Sequence, residues 1–253
     1  MTASITDHGA LLIGSNITLT ATLLSILAGS LVAGLAGFAF SATAGALLFH
    51  WLPPLEAVPL LLACSITTQL LSITSLWHTM QWRQCIPYLA GGFVGIPVGA
   101  RLLEGMNPHI FAGGFGIFLV CYSAYMLSRP NLAVRGGGRF AEVAAGFAGG
   151  ITGGATAFPG AIPTIWCNLR GLPKGEQRGI VQPFILLMQI ATLVYFSKLG
   201  ILASGTWQNF FWCVPVVILG TWTGLRFFDR IDERKFRRVV LCFLLISGAT
   251  LVL

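Results

Sequence analysis

Gly149-Gly150-Ile151-Thr152-Gly153-Gly154-Ala155-Thr156-Ala157-Phe158-Pro159 lies inside an apolar run over residues 140–168. A membrane helix crosses in about 20 residues, so this run is long enough for a crossing and yet is interrupted. Glycine, threonine and proline in such number free backbone groups from helical pairing. In hydrocarbon those groups are tolerated only where protein buries them or where they line a cavity. A second interrupted run occupies residues 17–51, broken at Gly34-Leu35-Ala36-Gly37-Phe38-Ala39-Phe40-Ser41.

The two breaks align, and so do the segments after them. Gly34-x-x-Gly37 matches Gly150-x-x-Gly153, 116 positions later. Leu52-Pro53-x-x-Glu56 matches Leu172-Pro173-x-x-Glu176 at an offset of 120, and Gln69 matches Gln189 at the same offset. Gly95-x-x-x-Gly99-x-Arg101-x-x-Glu104 matches Gly220-x-x-x-Gly224-x-Arg226-x-x-Asp229 at 125, as Trp82 matches Trp207. Four patterns in one order mark an internal duplication.

Further apolar segments fall at 55–77, 84–103, 108–128, 176–199, 206–228 and 233–253. Pro53-Pro54, Asn107-Pro108, Arg129-Pro130-Asn131, Gly136-Gly137-Gly138 and Asp229-Arg230 separate them as turns or helix ends. Hydrophobic residues make up 55% of the 253 and charged ones 9%, against about 25% charged in a soluble domain. So few charges cannot cover a soluble surface, and a single membrane domain over 1–253 is expected. The net charge of +7 sits in short connections, where cytoplasmic anchoring accounts for it and nucleic-acid binding is not expected. The six cysteines (the first Cys64, the last Cys242) are far apart, with no CxxC or Cys/His cluster, so neither metal nor redox cofactor is expected. No Lys/Arg-rich leader precedes the first segment, so no cleavable signal is expected.

The fifteen Lys and Arg decide the topology. If each broken run crosses once, they divide ten against five. If each is a hairpin returning to its own side, they divide thirteen against two, with Arg101 and Lys198 alone outside. The cleaner bias favours hairpins. Three crossings per copy then force the second copy to be inverted. The expected fold is an all-α integral membrane protein of two inverted repeats, each a broken or re-entrant helical hairpin followed by three transmembrane helices. Repeat 1 runs about 17–128, a linker 129–139 and repeat 2 about 140–253, with both termini outside the cytoplasm. The second hairpin's arms are expected to be about 13 residues each, or about 20 Å.

Broken helices in inverted repeats place a substrate near the midplane, where half-helix N-termini favour an anion. Small or hydroxylated residues flank each break: Gly37, Ser41 and Thr43 in the first copy, Gly153, Gly154, Thr156 and Pro159 in the second. Tight helix packing through small residues is the competing explanation. On the next segments Ser65 and Gln69 share a helix face, and Gln189 is the counterpart of Gln69. An amide in hydrocarbon is costly unless paired, so both glutamines are expected to face the interior, as ligands or as interhelical glue. Arg101 with Glu104, and Arg226 with Asp229, are expected as interfacial ion pairs. Glu56 and Glu176 are expected to complement helix N-termini, and Trp51, Trp77, Trp82, Trp207 and Trp212 to form an aromatic belt. His50, His78 and His109 have no ligand-spaced partners and read as interfacial. No nucleophile with its base, P-loop or ATPase motif is present, so catalysis is not expected and transport would run on a gradient.

The duplicated Gly-rich break, the Leu-Pro-x-x-Glu turn and the Gly-x-x-x-Gly-x-Arg helix end together resemble the sulfite exporter TauE/SafE family, over residues 20–253. The family's Gly-rich stretch ending in proline is matched at Gly149–Pro159. In the first copy Thr43 stands at the proline's place and Phe38-Ala39-Phe40 replaces glycines. The resemblance implies an inner-membrane carrier of sulfite, sulfoacetate or a related sulfonate, moved outward. The residues alone support a small, anionic solute, and leave open another anion carrier with proton or sodium coupling, a non-transporting scaffold, and a homodimer.

Overall fold

The computed structural model describes residues 3–36, 39–73, 80–128, 137–202, 204–227 and 233–253, and the described residues form helices and connections with no strand. The helices are α1 (Ala3–Ala36), α2 (Phe40–Leu48), α3 (Pro54–Ile73), α4 (Trp82–Gly105) and α5 (Pro108–Ser128). They continue as α6 (Gly138–Thr156), α7 (Ala161–Leu169), α8 (Lys174–Leu199), α9 (Ser204–Phe227) and α10 (Glu233–Val252). Of the residues singled out in the sequence, Gly37, Phe38, Ser75, Trp77, His78, Arg129, Pro130, Asn131, Gly136, Asp229 and Arg230 lie outside the described residues.

Helix boundaries follow local chemistry. Pro54 and Pro108 open α3 and α5, where a missing N–H costs nothing. Asn107 caps α5 by accepting the His109 N–H at 3.0 Å. Glu56 and Glu176 fall in the first turns of α3 and α8. Gly200, at φ 73°, ends α8.

Among the described residues, six helices are long and apolar enough to cross a membrane: α1 at Thr18–Leu35, then α3, α4, α5, α8 and α9. Large apolar side chains stand exposed along them, Phe211 at 71% and Ile110 at 65%. An aqueous surface does not tolerate so much exposed hydrocarbon, and a multi-pass membrane protein requires it.

The closest packing is backbone to backbone. Gly91, Gly95 and Gly99 form one stripe of α4 and face Gly146, Gly150 and Gly154 of α6. A Cβ on Gly95 would sit 2.2 Å from the Phe147 carbonyl oxygen, and one on Gly150 2.1 Å from that of Gly92. On the other side of the molecule α1 meets α9 in the same manner: a Cβ on Gly224 would lie 2.9 Å from the Gly34 Cα, and one on Gly220 2.6 Å from the Ser30 Cβ. Lipid tails are as apolar as leucine, so such helices associate through close approach and dispersion. Between these pairs α3 packs on α8 and α9, α4 on α8, and α5 on α10.

Two short helices double back. Gly29 of α1 lies under Ala44 of α2. In the second half Arg170, just past α7, pairs with Glu142 near the start of α6, and Gly137 packs beneath the Trp166 ring. The arms are unequal, at 19 residues for α6 and 9 for α7, not the equal pair of about 13 expected. The physical reason is that Gly149 through Gly154 stay helical: their missing side chains serve the α4 contact and the packing of Pro159, not a backbone break. Two further contacts fix which ends are neighbours. The Gln81 N–H donates to the Gly179 carbonyl at 2.9 Å, and His50 lies 3.5 Å from Thr250.

One local expectation fails. Arg101 and Glu104 are both exposed and form no ion pair with each other; Arg226 lies over the Trp222 ring at 5.3 Å, and its expected partner Asp229 is outside the described residues. Three residues apart at a helix end, long side chains gain little from pairing in high dielectric, whereas an indole face offers the guanidinium both stacking and cover.

The glycine contacts are testable. Gly95→Ala should destabilise the purified protein by about 1–3 kcal/mol or more, because backbone atoms cannot yield. Gly114→Ala, with nothing within 4 Å of its Cβ position, should be neutral or slightly stabilising. Thermal unfolding in detergent reads both, and equal effects would contradict backbone-to-backbone packing at Gly95.

Candidate functional site

Both hairpins turn at an alanine in the left-handed region, Ala39 at φ 75° and Ala157 at φ 59°. Each is followed by phenylalanine. A Cβ in this conformation costs roughly 1–2 kcal/mol, so the surroundings must hold it. Phe158 is clamped by edge contacts with Phe118 at 6.3 Å and Tyr122 at 5.6 Å. The Ala157 carbonyl, freed by the break, accepts from Gln189 Nε2 at 3.4 Å.

The two turns meet at a small buried cavity of about 10 Å³, room for roughly one water. Ala33, Ala39, Phe40 and Ser41 line it from the first hairpin, Ser65, Thr68, Gln69 and Ser72 from α3. Phe158, Ile185 and Gln189 complete it from the second half of the chain. No lining residue carries a charge. Gln189 Nε2 also donates to Ser65 Oγ at 2.8 Å, joining α8 to α3 across the cavity wall. The Ala157 carbonyl can only accept, which orients the amide and turns Oε1 away from it.

Several polar atoms here lack partners. Ser41 Oγ, Thr43 Oγ1 and Gln189 Oε1 are buried without a hydrogen bond among the described residues. Buried polar groups are nearly always satisfied; two of these atoms, Ser41 Oγ and Gln189 Oε1, belong to residues that line the cavity, where a ligand would pair them, while Ser123, Trp166 and Thr221 carry others elsewhere. Two further lining hydroxyls are committed: Thr68 donates to the Cys64 carbonyl at 3.1 Å and Ser72 to that of Thr68 at 3.0 Å. The first N–H groups of α2, next to Ser41, precede the first helical hydrogen bond, Thr43 N–H to the Ala39 carbonyl at 2.9 Å. By helix geometry such groups have no intrahelical partner, and Phe40 and Ser41, which carry two of them, line the cavity.

Among the residues that the sequence singled out, the structure brings Ser41, Ser65, Gln69 and Gln189 together on this cavity. Thr43 is buried two residues further along α2, about half a helical turn from Ser41. Thr156 closes α6, ahead of the turn instead of after it, and its hydroxyl donates to the Thr152 carbonyl at 2.7 Å. Pro159 packs on Gly153, whose Cβ would come within 2.8 Å of it, and Gly154 rests against Ile96 of α4. These residues lie beside the turn and not on the cavity lining. Ala39, Phe40, Phe158 and Ile185 were missed. The repeated Ala-Phe pair was the available signal, and it also resets the alignment of the breaks: Ser41, not Thr43, stands at the place of Pro159.

Comparison with known proteins returned no match among curated proteins and none among solved structures. A family model did match: the one described as sulfite exporter TauE/SafE, over residues 21–251. The match spans nearly the whole chain, both hairpins and all the crossing helices included, and the chain belongs to the sulfite exporter TauE/SafE family of membrane transporters.

Proposed function

We propose that the chain is a secondary carrier that exports a small sulfur oxyanion, sulfite or an organosulfonate such as sulfoacetate, across the inner membrane. The anion is held between the two hairpin turns. The observation that carries this reading is the cavity, where the unpartnered Ser41 hydroxyl at the start of α2 meets the hydroxyl and amide groups of α3 and α8 without any carboxylate. Neutral donors at a helix N-terminus suit an anion that must also leave again. A volume near that of one water fits a contracted state, so the hairpins must part to admit the substrate and close to occlude it.

The chain organises this as two inverted repeats, α1–α5 and α6–α10. The packing supports the equivalence: exchanging the numbers of the two sets turns the α1–α9 contact into α6–α4, and α3–α9 into α8–α4. In register, Gly220 with Ser30 and Gly224 with Gly34 correspond to Gly95 with Gly150 and Gly99 with Gly154. Gly34 therefore matches Gly154, an offset of 120 that now agrees with the Leu-Pro and glutamine pairs. Opposite faces for the two hairpin bases are supported by the neighbouring ends. Gln81, after α3, meets Gly179 beside the base of the second hairpin, while His50, at the base of the first, meets Thr250 near the end of α10. Both hairpins are re-entrant in this reading, and both termini lie outside the cytoplasm.

Two experiments test these proposals. In proteoliposomes, Ser41→Ala and Gln189→Leu should each raise the KM for labelled sulfite about 10-fold or more, since a hydrogen bond to an anion contributes about 1.5–3 kcal/mol. Folded wild-type protein that carries no sulfur oxyanion would sink the carrier reading in favour of a scaffold. For topology, Gly105→Cys and Gly175→Cys, both exposed with open space at the Cβ position, are placed in a background with Cys121 and Cys242 changed to Ser. A membrane-impermeant thiol reagent should label position 105 on intact cells and position 175 only after the membrane is opened. Labelling of both from one face would mean parallel repeats.

A further inference from the structure

Within the carrier reading, on which this inference rests, the cavity distinguishes between protonation states of an oxyanion. Gln189 is 2% exposed, and its Oε1 has no hydrogen-bond partner among the described residues. A carboxamide oxygen only accepts. A fully deprotonated oxyanion brings further acceptors and would leave Oε1 facing lone pairs, whereas an oxyanion that keeps one proton can donate to it. The remaining groups suit the other oxygens. Ser41 Oγ is unpartnered, and Ser65, accepting from Gln189 at 2.8 Å, keeps its own proton to give.

Charge points the same way. No Lys, Arg or His lines the cavity. The cost of taking an ion out of water grows with the square of its charge, and neutral dipoles offset it only in part. A monoanion is therefore much cheaper to hold here than a dianion.

We infer that the transported species is a singly protonated monoanion, hydrogensulfite and not the sulfite dianion, with its O–H donated to Gln189 Oε1, which narrows the proposed substrates to sulfite over the organosulfonates, whose sulfonate group has no O–H. Its charged oxygens receive hydrogen bonds from Ser41, Ser65 and the first N–H groups of α2. No bond is made or broken; the proton crosses as part of the substrate. Proton movement then accompanies transport without any titrating side chain in the site. The titratable groups on the surrounding helices stand off the lining: Glu56 and Cys64 on α3, Glu142 on α6, Cys213 and Arg226 on α9. On α8 the same holds for Glu176, Arg178, Tyr195 and Lys198.

The test is sulfite uptake into proteoliposomes with one pH on both faces, stepped through the second ionisation of sulfurous acid, protein-free vesicles being subtracted. The KM reckoned on total sulfite should rise about tenfold per pH unit above that ionisation, while the KM reckoned on hydrogensulfite stays constant. Inhibition by methanesulfonate, a monoanion without an O–H, should be weak and independent of pH. Gln189→Leu should narrow the gap between the two anions, whereas Ser65→Ala, which keeps Oε1, should weaken binding and preserve the pH profile. A KM on total sulfite that stays flat or falls with rising pH overturns the inference alone. Absence of sulfite flux at every pH overturns the carrier reading and this inference with it.

Discussion

Where Gly95 meets Gly150 and Gly224 meets Gly34, two helix backbones touch with no side chain between them. In a membrane the hydrophobic effect does not press helices together, so an interface must gain through dispersion at close range. These contacts join α4 to α6 and α1 to α9, which means that each hairpin's leading arm is held by a helix from the opposite half of the chain. The position of each turn is thereby set by the other half of the chain. Separate the two pairs and the first turn, at Ala39 to Ser41, no longer shares a cavity with Phe158 of the second.

That arrangement explains how the chain keeps an unpaired backbone and a strained alanine inside an apolar bundle. The Phe158 ring is fixed by α5, and the carbonyl at the break is taken by Gln189 of α8. Gln189 also reaches Ser65. One buried amide thus ties the second turn to α3, and its remaining oxygen is unpartnered among the described residues. In the proposed carrier the same side chain that supports the fold would also read the ligand, a coupling that closure needs if it is to depend on what is bound.

Much of this was legible in the sequence. The paucity of charge, the recurring apolar runs and the proline turns define the helices and their ends. Gln69 and Gln189 stood out because an amide in hydrocarbon needs a partner, and both line the cavity. The glycine run at 149–154 was harder to read. Glycine serves both broken backbone and close helix approach, and local composition does not separate the two; the deciding fact is the facing stripe on α4, some 55 positions earlier. The break fell instead at Ala157, a residue with no turn propensity, held left-handed by tertiary contacts. For the same reason Gly154 and Thr156 stood out in place of Phe40 and Phe158, since an aromatic in a membrane segment looks like ordinary lining.

The proposed transport turns on an oxyanion being held where the two hairpin turns meet. Equilibrium binding of radiolabelled sulfite to the purified protein reads this without the complications of flux, comparing wild type with Ser65→Leu, which fills the cavity, at matched unfolding temperature. Saturable binding at one site per chain is expected, lost in Ser65→Leu and unchanged in Gly175→Ala. Binding to Ser65→Leu with the wild-type affinity would place the anion elsewhere and refute the assignment of the site.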